Sequence, residues 1–252
     1  MHIEKTIVQF VEKVKPNIFL LKVLAKNISS KATAGQFCNI KVSETDFPLL
    51  RRPFSIHNIE NESVYFLFDI HGEGTKILSN KKVGDKIDII GPLGNGFNID
   101  DNYETIFLVA GGIGVAPFPF LTKSLTNKKI ITFYGARNKD YIYDKNLINV
   151  KYSTDDGSYG FHGNVIELLE KEIGKNDFHN IKIYGCGPTP MLKALQKFSL
   201  ENKIDCELSV ESAMACGFGI CQGCPIETTD NSYKLICKDG PVFNSKEIIL
   251  WI

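Results

Sequence analysis

The 252-residue chain has the composition of a folded globular protein, with 43% hydrophobic and 23% charged residues. This length and apolar content suffice for two modest cores and a small appendage, which excludes a largely disordered chain. The 29 basic residues equal the 29 acidic ones, so the whole-chain charge favours neither nucleic acid nor an anionic membrane as a partner. The first residues lack the pattern of a secretory signal, and no apolar run reaches ~18 residues. We therefore expect a cytoplasmic protein.

Residues 1–100 are predicted to form an antiparallel β-barrel. Short β-branched and aromatic runs alternate there with Gly, Pro and Asn, which is typical of a small barrel or sandwich. The predicted strands cover residues 18–25, 36–42, 63–70 and 86–90. A helix over residues 75–82 interrupts them after Gly72 and Gly74.

The pattern changes at Glu104, where apolar strands begin to alternate with amphipathic helices. This order predicts a parallel sheet with right-handed crossovers over residues 101–204. Strands are expected at 105–110, 129–134 and 181–184, and helices near 118–125, 164–172 and 190–200. Residues 205–252 are rich in cysteine and glycine, and we expect them to form a small third domain held by something other than a hydrophobic core. The predicted fold class is therefore multi-domain, β plus α/β.

Four of the seven cysteines crowd into the third domain, at Cys216, Cys221, Cys224 and Cys237. Their spacing of four, two and twelve intervening residues begins like the plant-type ferredoxin run, which predicts a 2Fe-2S cluster. A structural zinc site is the main alternative, but such sites pair cysteines in two separated knuckles and here only one exists. The isolated Cys38 and Cys206 are interpreted as small buried hydrophobes.

Two segments of the barrel have the residue types of a flavin site. Arg52, Pro53, Phe54 and Ser55 place a guanidinium, an aromatic ring and a hydroxyl in the order that a pyrophosphate and an isoalloxazine would need. Gly74 and Thr75 open the inserted helix, where amide hydrogens could bind phosphate oxygens. An exposed salt bridge at Arg52 and an ordinary turn at the glycines are the alternative interpretations.

Two loops of the second domain are candidates for nicotinamide binding. The segment Gly111, Gly112 and Gly114 joins a buried strand to a helix, as does the segment Cys186, Gly187 and Pro188. Both loops should lie at the carboxyl ends of parallel strands, where such sheets bind dinucleotides. Cys186 would lie near a nicotinamide ring, or is simply a small residue that fits a tight loop.

The order of these motifs resembles the ferredoxin–NADP reductase superfamily and, within it, the electron-transfer subunits of NAD-dependent dihydroorotate dehydrogenases. The segments that carry the closer resemblance are residues 91–97, 156–160, 186–192 and 237–243. The resemblance implies an FAD-binding barrel, an NAD-binding domain and a carboxyl-terminal 2Fe-2S domain. The implied FAD residues are Arg52, Pro53, Phe54, Ser55, Leu67, Phe68, Asp69, Gly74 and Thr75. The family often has a basic residue where Asp69 stands, so a backbone contact is expected there.

A flavin between the cluster and the nicotinamide makes one functional unit, because nicotinamide moves two electrons together and a cluster moves one. The resemblance implies an FMN-containing catalytic subunit as partner, two of each chain in the complex, and NAD⁺ as final acceptor. A dihydroorotate-oxidising (β/α)₈ barrel would need ~250 residues of its own, so this chain is predicted to hold no catalytic residue for that step. The alternatives are the small subunit of an NAD(P)H–ferredoxin oxidoreductase, a sulfide dehydrogenase or a hydrogenase, and a non-enzymatic iron–sulfur sensing module.

Overall fold

The computed structural model describes residues 1–99, 102–175 and 178–250. The predicted boundary between residues 100 and 101 lies outside them. No helix among the described residues has both the length and the apolar character needed to cross a bilayer.

The first domain is a seven-stranded antiparallel sheet with strand order β4-β3-β7-β1-β2-β6-β5. Only residues 56 and 57 separate β4 from β5, although these are the two edge strands, so the sheet has to curl back on itself as the sequence predicts. Its interior is a core of buried aliphatic and aromatic side chains. The strands are β1 (His2–Lys15), β2 (Ile18–Leu24), β3 (Phe37–Lys41), β4 (Arg52–Ser55), β5 (Asn58–Glu60), β6 (Ser63–Asp69) and β7 (Lys86–Leu93), with helices α1 (Lys26–Ser29) and α2 (Glu73–Ser79).

The second domain is built on a sheet with strand order β11-β10-β9-β8-β12-β13-β16, in which all neighbours are parallel except the last pair. The central strand, Thr105–Gly111, is buried at every position, as a strand covered on both faces requires. Asn164 caps the helix that follows β11. Its side chain accepts hydrogen bonds from two backbone amides, and the Glu167 carboxylate accepts one from the Asn164 backbone amide. The elements are β8 (Thr105–Gly111), α3 (Phe118–Ser124), β9 (Lys129–Ala136), β10 (Val150–Thr154), β11 (Phe161–His162), α4 (Val165–Ile173), β12 (Ile181–Cys186), α5 (Thr189–Glu201) and β13 (Asp205–Ser209), with short 3₁₀ turns at Gly112–Val115 and Lys139–Tyr141.

The third segment contains more regular structure than its sequence indicates. A small antiparallel sheet of order β15-β14-β17 packs beside the cysteines, and one further strand joins the edge of the second domain. The elements are β14 (Pro225–Thr228), β15 (Tyr233–Leu235), α6 (Ile236–Asp239), β16 (Val242–Asn244) and β17 (Ile248–Ile249).

The strand β13 begins at the residue where the sequence places the start of the third domain. It pairs in parallel with β12, and its Cys206 and Leu208 are fully buried, so the parallel sheet extends past residue 204. The strand follows α5 as the last step of a β-α-β unit, which the glycine- and cysteine-rich tail obscures in the sequence. We propose a boundary near residue 210.

Candidate functional site

Seven of the nine predicted flavin residues line one cleft, and the other two, Arg52 and Gly74, lie outside its lining. Six of the seven lie on strands β4 and β6, which contact each other without pairing, and the seventh, Thr75, lies on α2. The opposite wall comes from the segment after β13 and from the turn after β8. The cleft is lined by Phe37, Pro53, Phe54, Ser55, Leu67, Phe68, Asp69, Thr75, Ile113, Ala116, Ser209, Val210, Glu211, Ser212, Met214 and Pro241. Sequence reasoning missed the 209–214 wall, because nothing in those residues resembles a flavin motif.

Arg52 lies against the start of α2. A Cβ on Gly74 would be 2.7 Å from the Arg52 Nε atom, so the guanidinium occupies the space that glycine leaves. Arg52 also donates to the Leu50 carbonyl oxygen, and it forms no ion pair with a described residue. The exposed salt bridge considered for this arginine is therefore not present in the described part of the chain.

Thr75 closes the loop that leads into α2. Its hydroxyl accepts a hydrogen bond from the His71 amide at 2.8 Å and donates to the Gly72 carbonyl oxygen at 3.1 Å. Gly72 has a φ of 145°, a conformation that L side chains rarely adopt. These contacts hold the loop in a fixed shape beside Arg52.

The two predicted nicotinamide loops pack directly on each other. They follow β8 and β12, which are neighbouring parallel strands. A Cβ on Gly114 would lie 2.5 Å from the Gly187 Cα atom, and one on Gly111 would lie 2.9 Å from Pro188 Cδ. Glycine is therefore required at these positions for the loops to approach.

Cys186 is 1% exposed. Burial raises the pKa of its thiol far above the ordinary value, and the Glu211 charge acts in the same direction. Cys186 is thus a small residue that fits a tight loop. Its position near a nicotinamide ring stays a prediction.

A second cleft continues from the first across the domain boundary. The barrel supplies Asn17, Ile18 and Asp69, while the second domain supplies the opposite wall. Asp69 and Ile113 line both clefts, so the clefts share their side walls. The second-domain residues are Gly112, Ile113, Arg137, Tyr141 and Pro188, which include members of both predicted nicotinamide loops. Gly112 has a φ of 54° and open space around its Cα.

The four predicted cluster cysteines lie together, and backbone amides point at three of their sulfur atoms. The Gly219 amide lies 3.1 Å from Cys237 Sγ, the Cys221 amide 3.5 Å from Cys216 Sγ, and the Cys237 amide 3.4 Å from Cys224 Sγ. Gly217 and Gly219 both have positive φ values, 82° and 89°, and this lets the loop turn its amides inward.

The pKa values of two of these thiols are shifted in opposite directions. Burial raises the pKa of Cys216, but hydrogen bonds from the Cys221 and Phe218 amides outweigh it and lower the pKa to about 6. Burial and the hydrogen bond with Cys224 raise the pKa of Cys237 to about 12. The amides therefore favour a thiolate at Cys216, the form that binds metals.

The cysteine loop, residues 216–224, and the helix α6 that carries Cys237 bury some of the cysteines and expose others. Cys224 and Cys237 are 4% and 2% exposed and belong to the same core as Phe37, a residue that also lines the flavin cleft. Cys221 is exposed. Of the four cysteines, Cys224 and Cys237 are therefore enclosed by protein and Cys221 is the one most open to solvent.

Asn39 is a residue of this site that sequence reasoning missed. It is fully buried on β3, and its side-chain amide donates to the Cys216 carbonyl oxygen at 3.1 Å. A Cβ on Gly217 would collide with that amide group. The barrel thus fixes the start of the cysteine loop by one long-range contact, for which a single sequence carries no signal.

Within the described residues, no three His, Cys, Asp or Glu side chains meet closely enough to hold a single metal ion. The assignment of the cysteines to a cluster consequently rests on the donor set and on the amides aimed at its sulfurs. Four thiols, three of which accept from backbone amides, suit an iron–sulfur cluster, whose sulfurs accept hydrogen bonds of this kind.

Comparison with known proteins places this chain in a family. Residues 211–249 match the model of the iron-sulfur cluster binding domain of dihydroorotate dehydrogenase B. The electron transfer subunit of dihydroorotate dehydrogenase B (NAD(+)) from Caldanaerobacter subterraneus subsp. tengcongensis is 40% identical over 224 residues, covering 87% of this chain and 88% of that protein. The corresponding subunit from Lysinibacillus sphaericus is 38% identical, covering 98% of both proteins.

A solved structure has the same fold over nearly the whole chain. It comes from a study of flavin-based electron bifurcation by an NADH-dependent reduced ferredoxin-NADP oxidoreductase. The TM-score is 0.87 at 28% identity, covering 97% of this chain and 90% of that one. The chain belongs to the family of electron transfer subunits of dihydroorotate dehydrogenase B (NAD(+)).

Proposed function

We propose that this chain transfers electrons from a partner subunit that oxidises dihydroorotate to orotate, through a 2Fe-2S cluster and FAD, to NAD⁺ in pyrimidine biosynthesis. The observation that carries the proposal is the meeting of three segments at one cleft. Strands β4 and β6 form one wall, Val210–Met214 leads from the other wall into the cysteine loop, and Ile113 and Ala116 belong to the glycine loop.

The chain's own residues have distinct tasks toward these cofactors. Arg52 neutralises the FAD pyrophosphate at the start of α2, and Ser55 offers a hydroxyl to the isoalloxazine edge. The paired glycine loops receive the NAD⁺ phosphates beside Arg137. FAD supplies the exchange between single electrons and a hydride pair, which the cluster and the nicotinamide each lack.

We also propose the partner and its arrangement. It is an FMN-containing catalytic subunit that docks near residues 217–222, and two copies of each chain form a heterotetramer. The exposed Cys221 supports this orientation, because it is the most solvent-accessible of the four predicted ligands. The cytoplasmic location stays a prediction from the sequence.

Cys221→Ser tests the electron route. We expect the variant to lose the rhombic electron paramagnetic resonance signal after reduction and more than 90% of dihydroorotate-to-NAD⁺ transfer in the complex, since loss of a ligand should cost at least the roughly tenfold that loss of an outer-shell partner costs. NADH–dye reduction by FAD should persist, since it does not pass through the cluster. Cys206→Ala, at a buried cysteine outside the loop, is the matched control and should retain both activities. Full orotate formation by Cys221→Ser would show that the route is wrong.

The small subunit of an NAD(P)H–ferredoxin oxidoreductase is a second candidate, favoured by the TM-score of 0.87 with a structure of that kind. The two functions predict different electron partners. Orotate formation coupled to NAD⁺ in the complex with the pyrimidine enzyme supports the first function, and reduction of ferredoxin without orotate formation supports the second.

A further inference from the structure

The outward face of β3, β7 and β1 carries a basic depression. Pairing places Lys41, Asp88 and Lys5 side by side on the three strands, and Arg51 holds Asp88 at 2.9 Å. The ammonium groups of Lys5, Lys41 and Lys86 bond to no described residue. The charged residues that line the depression are Lys5, Lys41, Glu44, Lys81, Lys86 and Asp88. Four lysines outnumber two carboxylates in this lining, so the depression is net positive although the chain as a whole is neutral.

Large apolar side chains surround this depression and are exposed to solvent. On β1, Ile3 is 65% and Ile7 is 44% exposed, and in the loop between β3 and β4, Phe47, Leu49 and Leu50 are 69%, 76% and 47% exposed. Outward positions of a solvated sheet normally carry polar residues. Apolar side chains grouped in this way mark an interaction surface. We call the depression and these five residues the barrel face.

The barrel face is continuous with the cysteine loop. Asn39, Ile90 and Ile3 form one row across β3, β7 and β1. Asn39 bonds to Cys216 and Ile90 packs in the core that contains two of the cysteines, whereas Ile3 at the end of the row is open. Ile220, at the tip of the cysteine loop, is 75% exposed. A partner seated on the loop would therefore extend onto the barrel face.

We infer that the barrel face is a second docking surface for the catalytic subunit, which presents to it an apolar centre surrounded by acidic side chains. The inference rests on the proposed function, because it names where that partner is held. Unpaired lysines oppose a second copy of the same face by like-charge repulsion, and they favour an acidic surface. The apolar residues supply the area that a stable interface needs near its centre.

The test uses the full-length chain with the dihydroorotate dehydrogenase catalytic subunit of its own organism. Leu49→Asp combined with Leu50→Asp should weaken assembly at least tenfold, while flavin and cluster absorbance and the NADH–dye rate stay unchanged. Leu200→Asp is the matched control, since Leu200 is 45% exposed on α5 in the second domain. Dissociation constants can be measured by sedimentation or interferometry.

Reversal of the lysine charges provides a second, independent test of the interface. Lys5→Glu, Lys41→Glu and Lys86→Glu together should weaken assembly at least tenfold and reduce its salt dependence. Reversal of Lys175, Lys197 and Lys203, in the second domain, gives the same net charge and should have little effect.

The outcomes separate this inference from the proposed function. If the leucine and lysine variants assemble as tightly as the wild type, the barrel face is not an interface and the inference is overturned. If the wild type binds the subunit but transfers no electrons, the proposed function fails. If the wild-type chain instead self-associates through Leu49 and Leu50, the occupant is a second copy and the inference is wrong.

Discussion

Lys182→Met should destabilise the joint between the two large domains. The Lys182 Nζ atom lies 2.8 Å from Glu207 Oε1, with the side chains 4% and 11% exposed, and it also donates to the Asn98 carbonyl oxygen at 3.1 Å. Asn98 lies in the segment that links the barrel to β8, and its amide donates to Glu207 Oε2 at 2.9 Å. The pair therefore ties the linker to the edge of the parallel sheet.

The expected cost follows from this burial. Removing one member of a buried ion pair leaves the other charge without compensation, which costs about 3–5 kcal/mol. For a chain of this size each kcal/mol lowers the melting temperature by about 2–4 °C, so a decrease of roughly 6–20 °C is expected. Urea unfolding and calorimetry measure both quantities. FAD fluorescence should report earlier flavin release, because the linker sets the position of the barrel.

A matched variant and a double variant make the reasoning testable. Lys197→Met breaks an ion pair with Glu201 in which both side chains are more than 60% exposed, and should cost at most about 0.5 kcal/mol. Adding Glu207→Leu to Lys182→Met should recover part of the loss. If Lys182→Met unfolds within about 1 kcal/mol of the wild type, the buried pair does not stabilise the joint.

Three other changes test the site and the residues that support it, among them His57, whose Nδ1 atom lies 2.7 Å from the carbonyl oxygen of the cleft residue Ala116. Gly114→Ala should raise the KM for NADH at least tenfold, because the new Cβ would meet Gly187 Cα at 2.5 Å, whereas Gly174→Ala has its nearest neighbour at 3.4 Å and should leave kinetics unchanged. Burial lowers the pKa of His57 from 6.5 to about 4. The unfolded state therefore binds more protons between these values, so roughly 3 kcal/mol of stability that is present above pH 6.5 should be lost as the pH falls toward 4, and His57→Asn should flatten this dependence in unfolding measurements. Arg52→Lys keeps the charge but loses the planar fork, so a fluorescence titration should show FAD affinity at least tenfold lower; unchanged affinity would remove Arg52 from the pyrophosphate site.

The fold could be predicted well wherever local periodicity decided it. The predicted strand at 105–110 became β8 and the predicted helix near 164–172 became α4, and both patterns depend on neighbouring residues alone. The sequence places β13 in the third domain, whereas the structure pairs it with β12, a strand that precedes it by a whole helix. The carboxyl-terminal strands were missed for a different reason, because strands of two to four residues leave too short a pattern to detect.

The residues of the candidate site also divide into those that local sequence predicts and those that it does not. The cysteines and the glycines could be predicted from the sequence, because their spacing and residue types are typical of cofactor sites. Asn39 and the 209–214 wall act only through contacts with distant segments, the Asn39 bond to Cys216 spanning 177 residues. Asp69 was predicted as a flavin residue, but its place on the wall shared by both clefts depends on how two domains meet.

The uneven burial of the four cysteines fits a subunit that receives electrons from a docked partner. Cys224 and Cys237 are buried in the core that also includes Phe37, a residue that lines the flavin cleft. Cys221 and Ile220 lie at an exposed edge of the cysteine loop. An electron carrier that worked alone would have no reason to expose an apolar side chain beside its cluster, whereas a subunit that receives electrons from a docked partner needs an edge of this kind.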